Sequence, residues 1–307
     1  MTAHELNTFP AAMWALQSIL GLECMPQSLR LAPYIPSGSA HIPVTEYPEY
    51  TSLVRAGIVE ESGDVHAAVS DWLTVVSRPD LEVQLVIRRP GLIEGTVRES
   101  VTVICRMECW LVGISRSPGD PDEVAREIGF TGDPDTLPPE WVDRIRVFPI
   151  GAISDPARQT EAITDVLVAE LGQFESADID GVNLRLDTFL HASGTAAGDQ
   201  ETFSAMLASQ GVSGRVVSVL SEVMSLDRSA LAVVSARQVW AGSTPEERAL
   251  RRTVSVADCT LGRVSMSQSL AQDGTWWLSV WPGHSSTVRA DLAELVGEVI
   301  TAPARTH

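Results

Sequence analysis

The order of helix and strand patterns along the chain constrains the fold most strongly. Apolar and polar residues alternate over Leu81–Ile87, which is the period-two signature of a strand with one buried face. Two more strand patterns, Val101–Arg106 and Cys109–Ser115, follow as a tight antiparallel hairpin, and Arg144–Ile150 adds a fourth. Because helix and strand patterns do not alternate one by one, we predict an α+β fold with a mainly antiparallel central β-sheet and flanking helices.

The second half of the chain repeats this order of elements, although not the residues themselves. Its strand patterns are Ser229–Trp240, Thr253–Asp258, Arg263–Gln268 and Thr275–Trp281. A final helix begins with Ser285 or Ser286 as its N-cap. We therefore expect a single domain over residues 1–307, made of two pseudo-twofold-related halves, about 1–175 and 176–307. Joining the two sheets would cover edges that each four-stranded unit leaves open.

Apolar residues at helical spacing predict the helices around these strands. The predicted helices are Pro10–Leu20, Val65–Val76, Thr160–Leu171, Leu184–Ala192, Phe203–Leu207 and Val216–Met224. The short apolar run Leu29–Tyr34 predicts one more strand. Segments rich in proline, glycine or aspartate predict loops at Pro33–Pro48, Arg89–Glu99 and Pro118–Glu140. The last of these is predicted to be a long surface loop.

Charge and composition exclude several classes of function. Forty acidic residues against 22 basic ones give a net charge of −18, which would repel a phosphate backbone, so we expect no nucleic-acid partner. All the basic residues are arginine, and without lysine neither a P-loop nor a Schiff base can form. Neither a secretory signal nor an apolar run of membrane-spanning length is present, so we expect a cytosolic protein without membrane insertion.

The residues that could carry chemistry do not combine into a catalytic or metal site. Cys105 and Cys109 are four positions apart with no second Cys/His pair nearby, so buried free thiols are favoured over a metal site. The Asp-Pro pairs in Pro118–Glu140 indicate turns. The second half contains Trp240, Trp276, Trp277 and Trp281; we predict core packing for at least two of these four, with an anchor for a partner as the alternative. We expect no catalytic residue, metal or cofactor.

Five segments, in order along the chain, resemble one known family. They are WALQSILGLECMPQSLRLAPY (14–34), LVRAGIV (53–59), DLEVQLVI (80–87), SARQ with LGRVSMSQ (235–238 and 261–268), and WLSVWPG (277–283). Together they are similar to the EspG family, the chaperones of type VII (ESX) secretion systems. The likeness is poorest over Pro118–Glu140.

The resemblance implies a non-enzymatic cytosolic chaperone with a pseudo-twofold α+β fold. Its partner would be a PE–PPE heterodimer, whose PPE tip it covers, keeping the pair soluble and directing it to secretion. In the family the tip lies on the central sheet and the C-terminal helical bundle, and the loop equivalent to Arg89–Glu99 borders the partner, so we expect that loop to be mobile in the free protein. A weak homodimer is also compatible with the sequence.

We place the PPE-tip site on small side chains that share one face of the central sheet, on two neighbouring strands in the second half, with the helix Val216–Met224 as one wall. The predicted contact residues are Ala232, Val234, Ala236, Gln238, Thr253, Ser255 and Ala257. Small residues would leave a shallow surface for an apolar tip. Two alternatives stay open: the small residues could instead let a helix of this protein pack closely, and the protein could be a small-molecule-binding protein or an enzyme with a cleft between the halves. A structural oligomer is a third class of function.

Overall fold

The computed structural model describes residues 5–31, 43–91, 96–196, 199–225, 227–239 and 252–302. These residues contain ten strands. They are β1 (Leu6–Thr8), β2 (Leu81–Pro90), β3 (Val97–Met107), β4 (Trp110–Ser117), β5 (Arg144–Ala152), β6 (Val182–Arg185), β7 (Ala230–Gln238), β8 (Thr253–Cys259), β9 (Gly262–Leu270) and β10 (Trp276–Pro282).

The same residues form ten α-helices and three short 3-10 helices. The α-helices are α1 (Pro10–Ile19), α2 (Pro48–Arg55), α3 (Ala67–Ser77), α4 (Pro121–Ile128), α5 (Pro139–Val142), α6 (Pro156–Leu171), α7 (Leu186–Ala196), α8 (Gln200–Ser209), α9 (Gly214–Val223) and α10 (Ser285–Thr301). The 3-10 helices are Gln27–Leu29, Val44–Glu46 and Pro134–Thr136.

All ten strands belong to one sheet, in the order β1-β5-β4-β3-β2-β7-β8-β9-β10-β6. The α+β class with a large antiparallel sheet is therefore confirmed. The order contains a repeat. It consists of two sets of five strands, β1–β5 and β6–β10. In each set the last four strands form a meander, and the first strand pairs with the last one. A single helix, α6 or α10, follows each meander.

The chain divides into two compact units. The first consists of Met1–Glu82 and Ser100–Ser154, and the second of Val83–Glu99 and Asp155–His307. The second unit includes α6, which the predicted halves 1–175 and 176–307 assign to the first. The single domain and the pseudo-twofold relation between the halves stay predictions.

The first unit builds its core where α1 and α3 pack on the sheet. Leu73 of α3 is fully buried, and this helix packs on β4 and β5. Ile114 and Ile145, on those two strands, are also fully buried. The segment after β4 has a small core of its own, in which Val124 and Ala125 of α4 pack with side chains from the end of the segment.

The second unit covers its strands with helices on both faces. One cluster of buried side chains joins α7, α8 and α9 to β8, β9 and β10, with Phe203, Leu220 and Val280 among its members. The helix α10 packs against α6 and against β7, β8 and β9. Within the described ranges, no helix is both long and apolar enough to span a bilayer.

Most predicted elements are confirmed with shifts of a few residues at their ends, including the helices near α1, α3, α6, α8 and α9 and the strands β2 to β5 and β7 to β10. The predicted strand Leu29–Tyr34 is wrong at its start, where Gln27–Leu29 forms a 3-10 helix, and its end lies outside the described residues. Part of Arg89–Glu99 also lies outside them, so its mobility stays a prediction.

Two further corrections concern a helix end and missed elements. The N-cap of α10 is His284, whose side chain makes no capping bond, and Ser285 is already helical. Pro118–Glu140 is not simply a loop, because it holds α4, a 3-10 helix and the start of α5. Its two Asp-Pro pairs do start turns, since Asp120 and Asp133 accept hydrogen bonds from the backbone N–H groups two residues on.

Candidate functional site

The register between β7 and β8 decides where the seven predicted contact residues lie. Ala232 is opposite Val256, and Val234 is opposite Val254. One residue along, Val233 is opposite Ser255. Opposite residues of an antiparallel pair share a face, so β7 positions 232, 234, 236 and 238 point away from β8 positions 253, 255 and 257. The prediction that all seven share one face is wrong.

The face of Ala232, Val234, Ala236 and Gln238 is covered by α10. The side-chain amide of Gln238 donates to the carbonyl oxygens of Val299 and Ala302, at 3.0 and 2.9 Å, at the end of that helix. Ala232 and Val234 are buried. Small side chains on β7 thus accompany the close packing of a helix of the same chain, which is the first alternative that the sequence left open.

Three polar contacts hold α10 on this face. The hydroxyl of Ser265, a buried residue of β9, donates to Asp291 Oδ2 at 2.5 Å. Burial raises the pKa of the Asp291 carboxyl, and the Ser265 hydrogen bond opposes that rise. The largely buried guanidinium of Arg252, just before β8, forms ion pairs with Glu294 at 3.1 Å and Glu298 at 2.6 Å.

The opposite face is only partly covered. Ala257 and Cys259 at one end of β8 belong to the core cluster under α7–α9. Towards the other end of the strand, Thr253, Ser255 and Val233 are half-buried. We call Val233, Thr253 and Ser255 the β7–β8 strip; Ser235, opposite Thr253 on the same face, is buried. The strip carries two of the predicted contact residues, Thr253 and Ser255, whereas Ala257 lies fully buried beside it.

The helix α9, the predicted wall, is fixed beside these strands. It packs on β8, and the carboxylate of Glu222 accepts hydrogen bonds from the backbone N–H and the hydroxyl of Thr260, at 3.2 and 2.6 Å. Most apolar side chains of α9 are buried in the core cluster, and Met224 at its end is exposed. The geometry offers a short surface of small and polar side chains beside a helix that is packed on β8.

The comparisons with known proteins match this architecture. A sequence model of the EspG family matches residues 10–126 and 143–294. The chain belongs to the EspG family. The resemblance seen in the sequence is thereby confirmed. The unmatched residues 127–142 overlap Pro118–Glu140, where that likeness is poorest.

Relatives of this EspG protein include curated and solved members of the family. The ESX-2 secretion-associated protein EspG2 of Mycobacterium tuberculosis, from strains CDC 1551 / Oshkosh and H37Rv, is 24% identical over 293 residues, covering 95% of this chain and 94% of the relative. A solved structure shows the M. tuberculosis type VII secretion system chaperone EspG5 in complex with a PE25-PPE41 dimer. Its chain has 20% sequence identity, a TM-score of 0.69 and 98% coverage of both chains, which establishes the shared fold.

Across the described parts of the chain, no three His, Cys, Asp or Glu side chains come together in a metal-binding arrangement. Cys105 is buried in β3, and Cys109 is half-buried in the turn between β3 and β4. Burial raises the pKa of the Cys259 thiol, which disfavours the reactive thiolate.

The tryptophans of the second half differ in their exposure to solvent. Trp281 is 42% exposed, whereas Trp276 and Trp277 are half-buried, and Trp240 lies outside the described residues. The Trp281 ring lies over Gly181, where a Cβ would come within 2.0 Å of the ring. The WLSVWPG segment carries the aromatic signal, but its alternation alone does not say which tryptophan faces solvent.

Proposed function

We propose that this EspG protein is a type VII secretion chaperone that binds the tip of a cognate PE–PPE heterodimer in the cytosol, keeps it soluble and directs it to the secretion machinery. One observation carries the proposal. The family match comes with a shared fold over 98% of the chain of EspG5, a chaperone solved in complex with a PE25-PPE41 dimer. The proposed activity is binding and not catalysis.

We place the contact on the β7–β8 strip, with the wall at α9. A PPE tip needs a surface that is not already filled by this protein's own helices. Val233, Thr253 and Ser255 are half-buried, whereas Ala232 and Val234 lie under α10. In this proposal Ala232, Val234, Ala236 and Gln238 support the strip from behind, by fixing β7 to α10, and Ala257 anchors β8 to the helical cluster.

The physical basis is shape and desolvation. Thr253 and Ser255 have short side chains, so an apolar loop can approach the strands closely, and their hydroxyls can pair with polar groups at the rim. A bulky side chain in the centre of such a surface would displace the tip. Because the strip faces away from α10, the same change would leave the packing of that helix intact.

Co-purification tests the proposal. The tagged protein is co-expressed with each PE–PPE pair encoded in its own genome, and bound pairs are identified after size-exclusion chromatography. We expect at least one pair to co-elute in a defined complex. Failure of every pair to co-elute with folded protein would refute the function.

A matched pair of variants tests the location. Ser255→Tyr fills the strip, and Ser269→Tyr places the same side chain at an exposed position on the opposite face of β9. We expect Ser255→Tyr to lower affinity for the PE–PPE pair by at least about tenfold, as expected for a central contact position. Ser269→Tyr should bind like the parent protein. If both variants bind with equal affinity and have unchanged circular dichroism spectra, the contact lies elsewhere on the protein, and the proposed function itself is not contradicted.

A further inference from the structure

A pocket in the first unit lies apart from the β7–β8 strip. It has a volume of about 270 Å³, which is close to the lower limit of typical ligand pockets. Its lining comes from α2, α4 and α5, with one residue just before α1 and one at the start of β5. We call this space, between Pro48–Ser52 of α2 and Val124–Glu127 of α4, the α2–α4 pocket.

Carbon atoms form most of the surface of this pocket. Its apolar lining residues are Phe9, Pro48, Val124 and Trp141. The indole Nε1 of Trp141 is buried, so this residue presents carbon atoms to the pocket and not its N–H group. Such a surface stabilises an apolar body by excluding water from it, and its aromatic rings also attract cations.

The charged groups of the lining leave one negative charge unmatched. Two carboxylates, of Glu49 and Glu127, and one guanidinium, of Arg144, line the pocket. Glu127 Oε2 pairs with Arg144 Nη2 at 3.2 Å, which neutralises one of the carboxylates. The other, Glu49 in the first turn of α2, is half-buried and makes no hydrogen bond or ion pair within the described ranges. A cation is the ligand that would match its charge.

The segment that forms one wall of the pocket favours a cation as well. Residues 118–143, which contain α4 and α5, carry eight acidic side chains and one arginine. Many charges of one sign around a cleft raise the local concentration of the opposite ion and repel ions of the same sign. The surroundings therefore disfavour an anion in the pocket, whatever its apolar body.

The pocket also depends on a part of the chain that the EspG family model does not match. Residues 127–142 lie in the gap between the two matched ranges, and they include the lining residues Glu127 and Trp141. The pocket is thus tied to what distinguishes this chain from the family pattern.

We propose that the α2–α4 pocket binds a small organic cation, a protonated amine whose apolar body lies against Phe9 and Trp141 and whose ammonium group pairs with Glu49. The apolar body supplies most of the binding free energy, and the carboxylate selects a positive head group over a neutral or negative one. The pocket volume suits a molecule with one ring and a short chain. The site is independent of PE–PPE binding and stands or falls separately from it.

Three probes of nearly equal shape test the charge preference. Phenethylamine carries an ammonium group at neutral pH, phenethyl alcohol carries a neutral hydroxyl in the same place, and phenylacetate carries a carboxylate. Each probe is titrated into the ¹⁵N-labelled full-length protein, and its Kd is obtained from the shifts of the amide and indole N–H signals by NMR. The ring is the same in all three, so differences in Kd report the charge of the head group.

We expect phenethylamine to bind about three- to tenfold more tightly than phenethyl alcohol, the range for one partly exposed charged contact, and phenylacetate to bind most weakly. Glu49→Gln keeps the shape of the side chain and removes its charge, so it should bring the amine to within about twofold of the alcohol. Glu61→Gln, at an exposed glutamate outside the lining, is the matched control and should leave both Kd values unchanged.

A gain of affinity and a block of the pocket complete the test. Arg144→Gln removes the guanidinium that neutralises Glu127, so it should tighten binding of the amine by about three- to tenfold without tightening binding of the alcohol. Damage to the fold would not produce such a gain. Ser52→Phe, at an exposed position of the lining, should weaken both probes by filling the pocket. Thr51→Phe, at the neighbouring exposed position outside the lining, should weaken neither.

Any of three results would overturn the proposal. In the first, phenethylamine shifts no signal up to millimolar concentrations. In the second, the alcohol or the carboxylate binds the parent protein as tightly as the amine does. In the third, Glu49→Gln keeps the preference for the amine, or Ser52→Phe binds the amine as the parent protein does.

Discussion

The hydroxyl of Ser265 donates to the carboxylate of Asp291 at 2.5 Å, joining the buried centre of β9 to α10. Burial raises the pKa of Asp291 in the folded protein. The folded state therefore binds more protons than the unfolded state between the two pKa values, and this residue's contribution to stability falls as pH rises through the folded pKa.

Asp291→Asn removes that contribution. We expect the free energy of unfolding of the parent protein, relative to Asp291→Asn, to be greatest at acid pH and to decline towards neutral pH. Urea unfolding at a series of pH values measures it. Asp199→Asn is the control of opposite sign, because hydrogen bonds from Thr202 and from backbone N–H groups lower the pKa of that carboxyl, whose stabilisation is lost as pH falls. If the stability difference from the parent protein changed with pH in the same direction for both variants, the raised pKa of Asp291 would be contradicted.

Gln238→Ala tests the attachment of the end of α10 to β7. It removes the donors to Val299 and Ala302 and leaves two helix-terminal carbonyls without these partners. We expect a loss of about 1–2 kcal/mol in the free energy of unfolding. Gln210→Ala, at an exposed position after α8, should cost much less. Equal urea midpoints for the two variants would show that Gln238 does not hold the helix.

Ala232→Arg should fail to fold stably and is therefore unsuitable as a test of partner binding. The side chain is 4% exposed on the face that α10 covers, so an arginine there would overfill the core and bury a charge. We expect a loss of more than about 3 kcal/mol, seen as a lowered Tm in circular dichroism. Ala290→Arg, on the exposed side of α10, should change stability by less than about 0.5 kcal/mol. A parent-like Tm for Ala232→Arg would argue against the packing described here.

Arg263→Met tests a buried ion pair in the second unit. The guanidinium of Arg263 is paired with both carboxylate oxygens of Asp258, at 2.6 and 2.8 Å, and donates to the carbonyls of Leu171 and Gly172 at the end of α6. Removing it leaves the carboxylate and both carbonyls without this partner. We expect a loss of about 3–5 kcal/mol in urea unfolding.

Arg215→Met is the matched control for that variant. Arg215 pairs with Asp178 at 2.5 Å, but both side chains are largely exposed. Such pairs contribute about 0–1 kcal/mol. A similar cost for the two arginine variants would show that burial does not set the strength of the Arg263 pair.

Strong periodicity made much of the fold predictable from the sequence. Leu81, Val83 and Leu85 alternate with polar or half-buried neighbours, and β2 follows. The apolar face of α3 is equally clear, with Val69, Leu73 and Val76 buried. The edge strand β6 was missed because four residues carry too little alternation, and its pairing with β10 arises only in the folded chain.

The candidate site was harder to predict because it depends on register. Alternation divides the side chains of β7 into two sets, one for each face of the sheet, and it divides those of β8 in the same way. It does not show which set of β7 shares a face with which set of β8. A slip of one residue exchanges the faces of a whole strand. The sequence therefore indicated small residues on neighbouring strands correctly, but not that Ala232 and Ser255 lie on opposite sides of the sheet.

The edge strands have a consequence for synthesis of the chain. Leu6 of β1 pairs with Val147 of β5, and Val182 of β6 pairs with Val280 of β10. The strand β1 can therefore pair only after about 140 more residues have been synthesised, and β6 only after about 100 more. Pairings between residues so far apart in sequence are slow to form. The four strands of each meander can pair one after another as they emerge, so within each set of five strands the edge segment, although translated first, is the last to pair.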